Sequence, residues 1–155
     1  GGEEILVLDG RFSEGERDYP AGWYLRNPPG SSHQPHSANG TLLFVKLGQM
    51  SKGENRALRI DTRDGANWQK GEGISTCESV CLLRMASGTL LVEPSLPGGA
   101  ELLLLQGCLI EGNSIHAEGS WIRIPAGQQL AFIAEKDNTL LYLKKGHLGA
   151  MQEPQ

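Results

Sequence analysis

Four histidines (His33, His36, His116 and His147) and three cysteines (Cys77, Cys81 and Cys108) supply the imidazole and thiol chemistry of this 155-residue chain. Two spacings stand out among them. Glu3 is followed by six residues and Gly10, and Gly22-x5-Pro28-x-Gly30-x2-His33 follows further along. A carboxylate and an imidazole are oxygen and nitrogen ligands for Zn²⁺, Fe, Mn or Ni when a fold brings them to one point. By its chemistry alone, His33 reads as a solvated turn histidine, and Glu3 as a solvated glutamate for whose role the adjacent Glu4 competes. His36 follows Pro35 and is expected at the surface. Ser31-Ser32-His33 is a poor nucleophile and base, because adjacent turn residues rarely point at one another. Glu3 and Glu4 fall on opposite faces of a strand and cannot share acid and base work. Cys77-x3-Cys81 has the form of a redox pair, but an odd cysteine count without CxxC indicates reduced, buried thiols rather than a disulfide framework.

These residues must be positioned by short elements. Glycine occurs 21 times, about twice its usual share of roughly 7%, without low-complexity blocks, so it punctuates many turns. Strands are expected over Ile5–Leu8, Trp23–Arg26, Thr41–Leu47, Ser79–Met85, Thr89–Val92, Glu101–Leu105, Cys108–Glu111, Ser120–Ile124, Gln129–Ala134 and Thr139–Lys144. Helices are not expected. Glu14, Glu16, Arg17 and Asp18 read as a solvated, mixed-charge turn. With a formal net charge of -4, the chain lacks the basic footprint of a nucleic-acid binder. No apolar run approaches the roughly 18 residues of a membrane span. P-loop, dinucleotide-binding and G-x-S-x-G motifs are absent.

An internal repeat organises the chain. Residues 1–40 align without a gap on residues 98–137, pairing Gly10 with Gly107, Gly22 with Gly119, Arg26 with Arg123, Pro28 with Pro125 and Gly30 with Gly127. After one inserted residue, Thr41-Leu42-Leu43-Phe44-Val45-Lys46 falls on Thr139-Leu140-Leu141-Tyr142-Leu143-Lys144. Two copies of one β-rich unit follow. The second is preceded by two strand-like runs with no counterpart ahead of Gly1, so the first copy is expected to lack its leading strands in this sequence.

The motif around Glu3 and the motif ending at His33 resemble the two conserved motifs of the cupin superfamily. Gly1-Gly2-Glu3-Glu4-Ile5-Leu6-Val7-Leu8-Asp9-Gly10, Tyr19-Pro20-Ala21-Gly22, Arg26-Asn27-Pro28-Pro29-Gly30-Ser31-Ser32-His33, Phe44-Val45-Lys46 and Asp61-Thr62-Arg63-Asp64 are similar to the cupin domain of ChrR-type anti-sigma factors. The resemblance implies an all-β fold of tandem double-stranded β-helix (jelly-roll) barrels, with 1–50 the C-terminal part of a metal-type cupin and 51–155 a degenerate one. It implies Glu3 and His33 as metal ligands, joined by a His-x-His expected upstream of Gly1. Zn, or Fe, Mn or Ni, is the implied cofactor of the first barrel. The second is expected to hold none, since Ala100 replaces Glu3, Leu130 replaces His33, and Pro94 and Leu96 stand where the His-x-His would be. Glu93 and Glu101 are expected on its exterior, and apolar residues should fill its interior.

The resemblance implies a sensory or regulatory protein without catalytic residues, and the reduced thiols point to a cytoplasmic compartment. An extracytoplasmic-function sigma factor would be engaged only through a domain not present in these residues. A homodimer is expected, with no nucleic-acid or membrane contact. The alternative is a non-haem metal dioxygenase acting on a small organic substrate such as a diketone.

Overall fold

A computed structural model describes residues 1–50, 53–67 and 79–148. Cys77 lies outside them. Among the described residues, all regular elements are strands apart from one 3₁₀ turn, Gly65–Asn67. The contacts divide the chain into Gly1–Gly71 and Glu72–Gln155. The sequence repeat placed the division at 50/51, but a strand at Leu58–Asp61 pairs antiparallel with Trp23–Asn27 and so belongs to the first unit.

In the first unit, β1 (Glu3–Glu14), β2 (Arg17–Pro20), β3 (Trp23–Asn27), β4 (Pro35–His36), β5 (Thr41–Leu47) and β6 (Leu58–Asp61) form antiparallel pairs around β1. The first half of β1 lies between β3 and β5, and its second half pairs with β2 and β4. The corner between the halves is a bulge between Val7 and Asp9. Gly10, at φ 73°, follows it, and a Cβ there would stand 2.5 Å from the Gly40 carbonyl oxygen. Only glycine serves at such a corner.

The bulge also reverses the side-chain alternation. Ile5 and Val7 face the core before it, and Phe12 does so after it. Tyr19 and Leu25 complete this small core, with Trp23 set edge-on to Tyr19 at a ring-centroid distance of 5.2 Å.

The second unit comprises β7 (Ser79–Met85), β8 (Leu90–Glu93), β9 (Ala100–Gln106), β10 (Cys108–Glu111), β11 (Ser114–Ala117), β12 (Trp121–Ile124), β13 (Leu130–Ala134) and β14 (Thr139–Lys145). Two four-stranded sheets result, ordered β11-β10-β13-β8 and β12-β9-β14-β7. Gly107, the counterpart of Gly10, divides β9 from β10 at φ 91°. β13 alternates buried Leu130, Phe132 and Ala134 with exposed Ala131 and Ile133, as a strand with one core face must. Both sheets contribute to one apolar core, including Leu104 and Leu141 from one and Leu109 and Phe132 from the other. This is the jelly-roll arrangement that the family resemblance implies.

The predicted strands are present, Thr41–Leu47, Ser79–Met85 and Cys108–Glu111 with the expected bounds and the others with shifted ends. β1 is longer than expected, and β2, β4, β6 and β11 were missed. The counterpart of β5 is β14, which lies between β9 and β7. Among the described residues, β5 has β1 as its strand neighbour and no equivalent of β7 on its other edge.

Candidate functional site

Glu3 enters the site from the start of β1, directly opposite Asn27 on β3. Its face is the one carrying Ile5 and Val7. Glu4 points to the other face, where its buried carboxylate accepts a hydrogen bond of 2.8 Å from the Tyr24 hydroxyl and lies 3.4 Å from Arg26. Burial and the neighbouring Glu4 charge push the Tyr24 phenol up, which favours the neutral donor. The competition between the two glutamates is therefore decided by the strand's alternation.

His33 arrives from the turn after β3. The Ser31 amide and hydroxyl both donate to the Pro28 carbonyl oxygen, at 3.1 and 2.7 Å, and Gly30 takes φ 82°. This turn folds the chain back so that His33 Nε2 stands 3.3 Å from Glu3 Oε2. The two residues that the family resemblance pairs thus converge, each with about a quarter of its side chain exposed.

Three further residues surround them. Asn27 Nδ2 lies 3.1 Å from Glu3 Oε2 and 3.0 Å from His33 Nδ1. Glu14 Oε1 lies 3.1 Å from the same Nδ1. Arg59, next to Leu25 across the β3–β6 pair, donates to Glu14 Oε2 at 2.8 Å and to Asn27 Oδ1 at 2.7 Å, and its guanidinium lies over the Tyr19 ring. The reading of Glu14 as part of a solvated turn is corrected: only 11% of its side chain is exposed, because the bulge turns it, like Phe12, to the inner face. Arg59 escaped notice because its segment had been assigned to the second copy.

Two carboxylates face one guanidinium and one imidazole here, a balance that suits a cation. Glu3 Oε2 and His33 Nε2 supply one oxygen and one nitrogen donor on a common side. Glu14 approaches the opposite edge of the ring, and among the described residues no three His, Cys, Asp or Glu side chains form a group that could hold a metal ion. Of these donors, Glu3 Oε2 and His33 Nε2 could occupy two positions of a metal shell. His36 is exposed, as expected. It lines a different cleft, of about 760 Å³, together with Arg11 and Asp18.

The corresponding place in the second unit is closed by packing. Ala100, Leu130 and Leu96 are 0%, 1% and 4% exposed and belong to its core. Pro94 is exposed rather than inward. Glu101 is not an exterior residue. It is buried and 2.9 Å from the Nε2 of buried His147, whereas Glu93 is partly buried beside Lys145 at 3.1 Å.

Residues 1–51 match the family described as the ChrR cupin-like domain. No curated protein matches the chain. Among solved structures, a candidate dioxygenase from Nostoc punctiforme is similar at TM-score 0.70 and 17% identity, covering 99% of this chain and 67% of that one. A cupin 2 conserved barrel domain protein from Leptotrichia buccalis is similar at TM-score 0.61 and 16% identity, covering 94% and 74%. Quercetin 2,3-dioxygenase from Acinetobacter baumannii is similar at TM-score 0.56 and 15% identity, covering 96% and 66%. At these identities the likeness is one of fold. Among the described residues, no helix is long and apolar enough to cross a membrane.

Proposed function

We propose that this chain, whose residues 1–51 match the ChrR cupin-like family, is a metal-binding cupin with a sensory or regulatory role like that of ChrR-type proteins. The observation that carries the reading is the convergence of Glu3 Oε2 and His33 Nε2 at 3.3 Å, set against the second unit, where Ala100 and Leu130 fill the same positions with core. One barrel keeps the donors and the other keeps only the scaffold.

Glu3 and His33 would hold Zn²⁺, or Fe, Mn or Ni, in the first unit, with a His-x-His as the remaining ligands of the family pattern. A bound Zn²⁺ would supply a folding constraint and a charged centre whose occupancy a regulator can read. Within the chain, Asn27 orients both donors, and Arg59 offsets the second carboxylate. The sigma-factor partner belongs to the same reading, through a helical domain outside these residues.

The second reading, a metal-dependent dioxygenase, draws on the names of two structures of similar fold. Elemental analysis and turnover separate the two. The regulatory reading predicts Zn bound without consumption of a 1,3-diketone, and co-purification of the gene product with a sigma factor. Stoichiometric Fe with diketone turnover would replace it with the enzymatic reading.

A further inference from the structure

Arg59 lies beyond residues 1–51, where the family match ends, yet its side chain reaches the site. The guanidinium donates four hydrogen bonds. Nη1 holds the carbonyl oxygens of Arg26 and Leu58, at 3.0 and 2.7 Å, which ties it to the backbones of β3 and β6. Nη2 holds Glu14 Oε2 at 2.8 Å and Asn27 Oδ1 at 2.7 Å. Asn27 carries the effect onward. It is buried, and because a guanidinium can only donate, the amide atom facing Arg59 is Oδ1. The NH₂ is thereby turned to donate to Glu3 Oε2 at 3.1 Å. Rotated by half a turn, the amide would set Oδ1 against the Glu3 carboxylate, acceptor against acceptor, and leave Arg59 facing an NH₂.

The second unit lacks this support along with the donors. Where Ala100 and Leu130 replace Glu3 and His33, the counterpart of Asn27 is Ile124, a core residue. β12, the counterpart of β3, ends its sheet with no equivalent of β6 among the described residues. Glu111, the counterpart of Glu14, is half exposed.

We propose that Arg59 is a positioning residue of the metal site, acting through the Asn27 amide on Glu3, and that β6 is thereby a working part of the site. The effect on metal affinity rests on the metal reading above, whereas the hold on the Asn27 amide does not. Partners that orient a ligating carboxylate raise metal affinity. The role needs the planar fork of arginine. A lysine in its place offers a point charge that can offset Glu14 but cannot hold Glu14, Asn27 and the Arg26 carbonyl together.

The test combines side-chain ¹H–¹⁵N spectra of the Asn27 amide, assigned with Asn27→Ala, and Zn²⁺ titration calorimetry, for wild type, Arg59→Met, Arg59→Lys and Ile60→Ala. Ile60 lies opposite Tyr24 and alternates away from Arg59, so its truncation loosens β6 without touching the guanidinium. The metal-free wild type should show one Asn27 amide proton shifted downfield by its bond to Glu3. Arg59→Met and Arg59→Lys should each lose that shift and bind Zn²⁺ about tenfold or more weakly, while Ile60→Ala keeps both the shift and the affinity. Backbone spectra identify variants that retain the fold, and Arg59→Lys carries the test where Arg59→Met does not. The inference is overturned if the folded Arg59 variants keep the amide shift, or if they lose it and bind Zn²⁺ as wild type does. Wild-type affinity in Arg59→Lys would show that charge alone suffices, and an equal loss in Ile60→Ala would show that strand docking does; either overturns it. If wild type binds no Zn²⁺ while the Arg59 variants still release the amide, the metal reading fails and the hold on Asn27 stands.

Discussion

Glu3 Oε2 and His33 Nε2 lie 3.3 Å apart, although one sits at the start of β1 and the other beyond the turn that follows β3. The Pro28–Ser31 turn brings them together. Replacing Gly30, which holds φ 82°, by a β-branched residue such as Val strains that turn. The expected outcome for Gly30→Val is a displaced His33 and about tenfold weaker Zn²⁺ binding. Because a Cβ at Gly30 would meet nothing within 4 Å, the backbone amide spectrum should change only locally.

The corner glycines answer to a different constraint. A Cβ at Gly10 would stand 2.5 Å from the Gly40 carbonyl oxygen, and one at Gly107 would stand 2.9 Å from Thr139 Cα. Gly10→Ala and Gly107→Ala should each destabilise the fold by about 1–3 kcal/mol, measurable by urea unfolding. Gly15→Ala, also at positive φ but with open space around it, should cost about 1 kcal/mol.

How far the sequence could be read depends on the kind of signal. Gly10 and Gly107, Pro28 and Pro125, and the β5 and β14 runs state the repeat directly, because turn geometry restricts residue type. Glu3 and His33 were legible only through the resemblance of their surrounding motifs to those of cupins. Glu14 was hidden because its inward position depends on the bulge between Val7 and Asp9, and a one-residue shift of alternation leaves no mark in a charged segment. Arg59 was hidden because a four-residue strand pairing with β3 has no counterpart in the repeat. Glu101 was read as exterior from its charge, whereas its burial depends on His147, far away in sequence.

The two copies make a matched experiment on a strand edge. Leu143 on β14 is 0% exposed beneath two neighbouring strands, whereas its counterpart Val45 on β5 is 40% exposed. Val45→Lys should change stability by less than about 1 kcal/mol. Leu143→Lys should cost about 4 kcal/mol or more through an unpaired buried charge. An open, apolar edge also favours pairing between chains. If the homodimer expected from the sequence uses this edge, Val45→Lys should shift sedimentation equilibrium toward monomer.

Asp61 provides a pH signature. Hydrogen bonds from the Arg63 guanidinium hold its carboxyl down at about 2, against an ordinary 3.8. A depressed folded-state value stabilises the fold above the unfolded value, and that contribution is lost as pH falls from about 4 toward 2. Asp61→Asn should remove this part of the acid dependence, seen as a smaller change in thermal midpoint between pH 4 and pH 2 than in wild type.

The thiols should be slow to react. Burial pushes the Cys81 thiol up, and a hydrogen bond to Glu135, helped by burial, does the same for Cys108. Less thiolate means slower alkylation. Iodoacetamide at pH 7.5 should label both sites more slowly in the folded chain than in urea, as read by peptide mass spectrometry.

The central claim, that Glu3 and His33 are paired to hold a metal, is tested most directly by Zn²⁺ titration calorimetry of wild type, Glu3→Gln and His33→Ala, with Glu111→Gln as a control for the exposed His116–Glu111 pair. The account predicts a wild-type site that Glu111→Gln retains and that both Glu3→Gln and His33→Ala weaken by about tenfold or more. Binding in His33→Ala equal to that of wild type would contradict it.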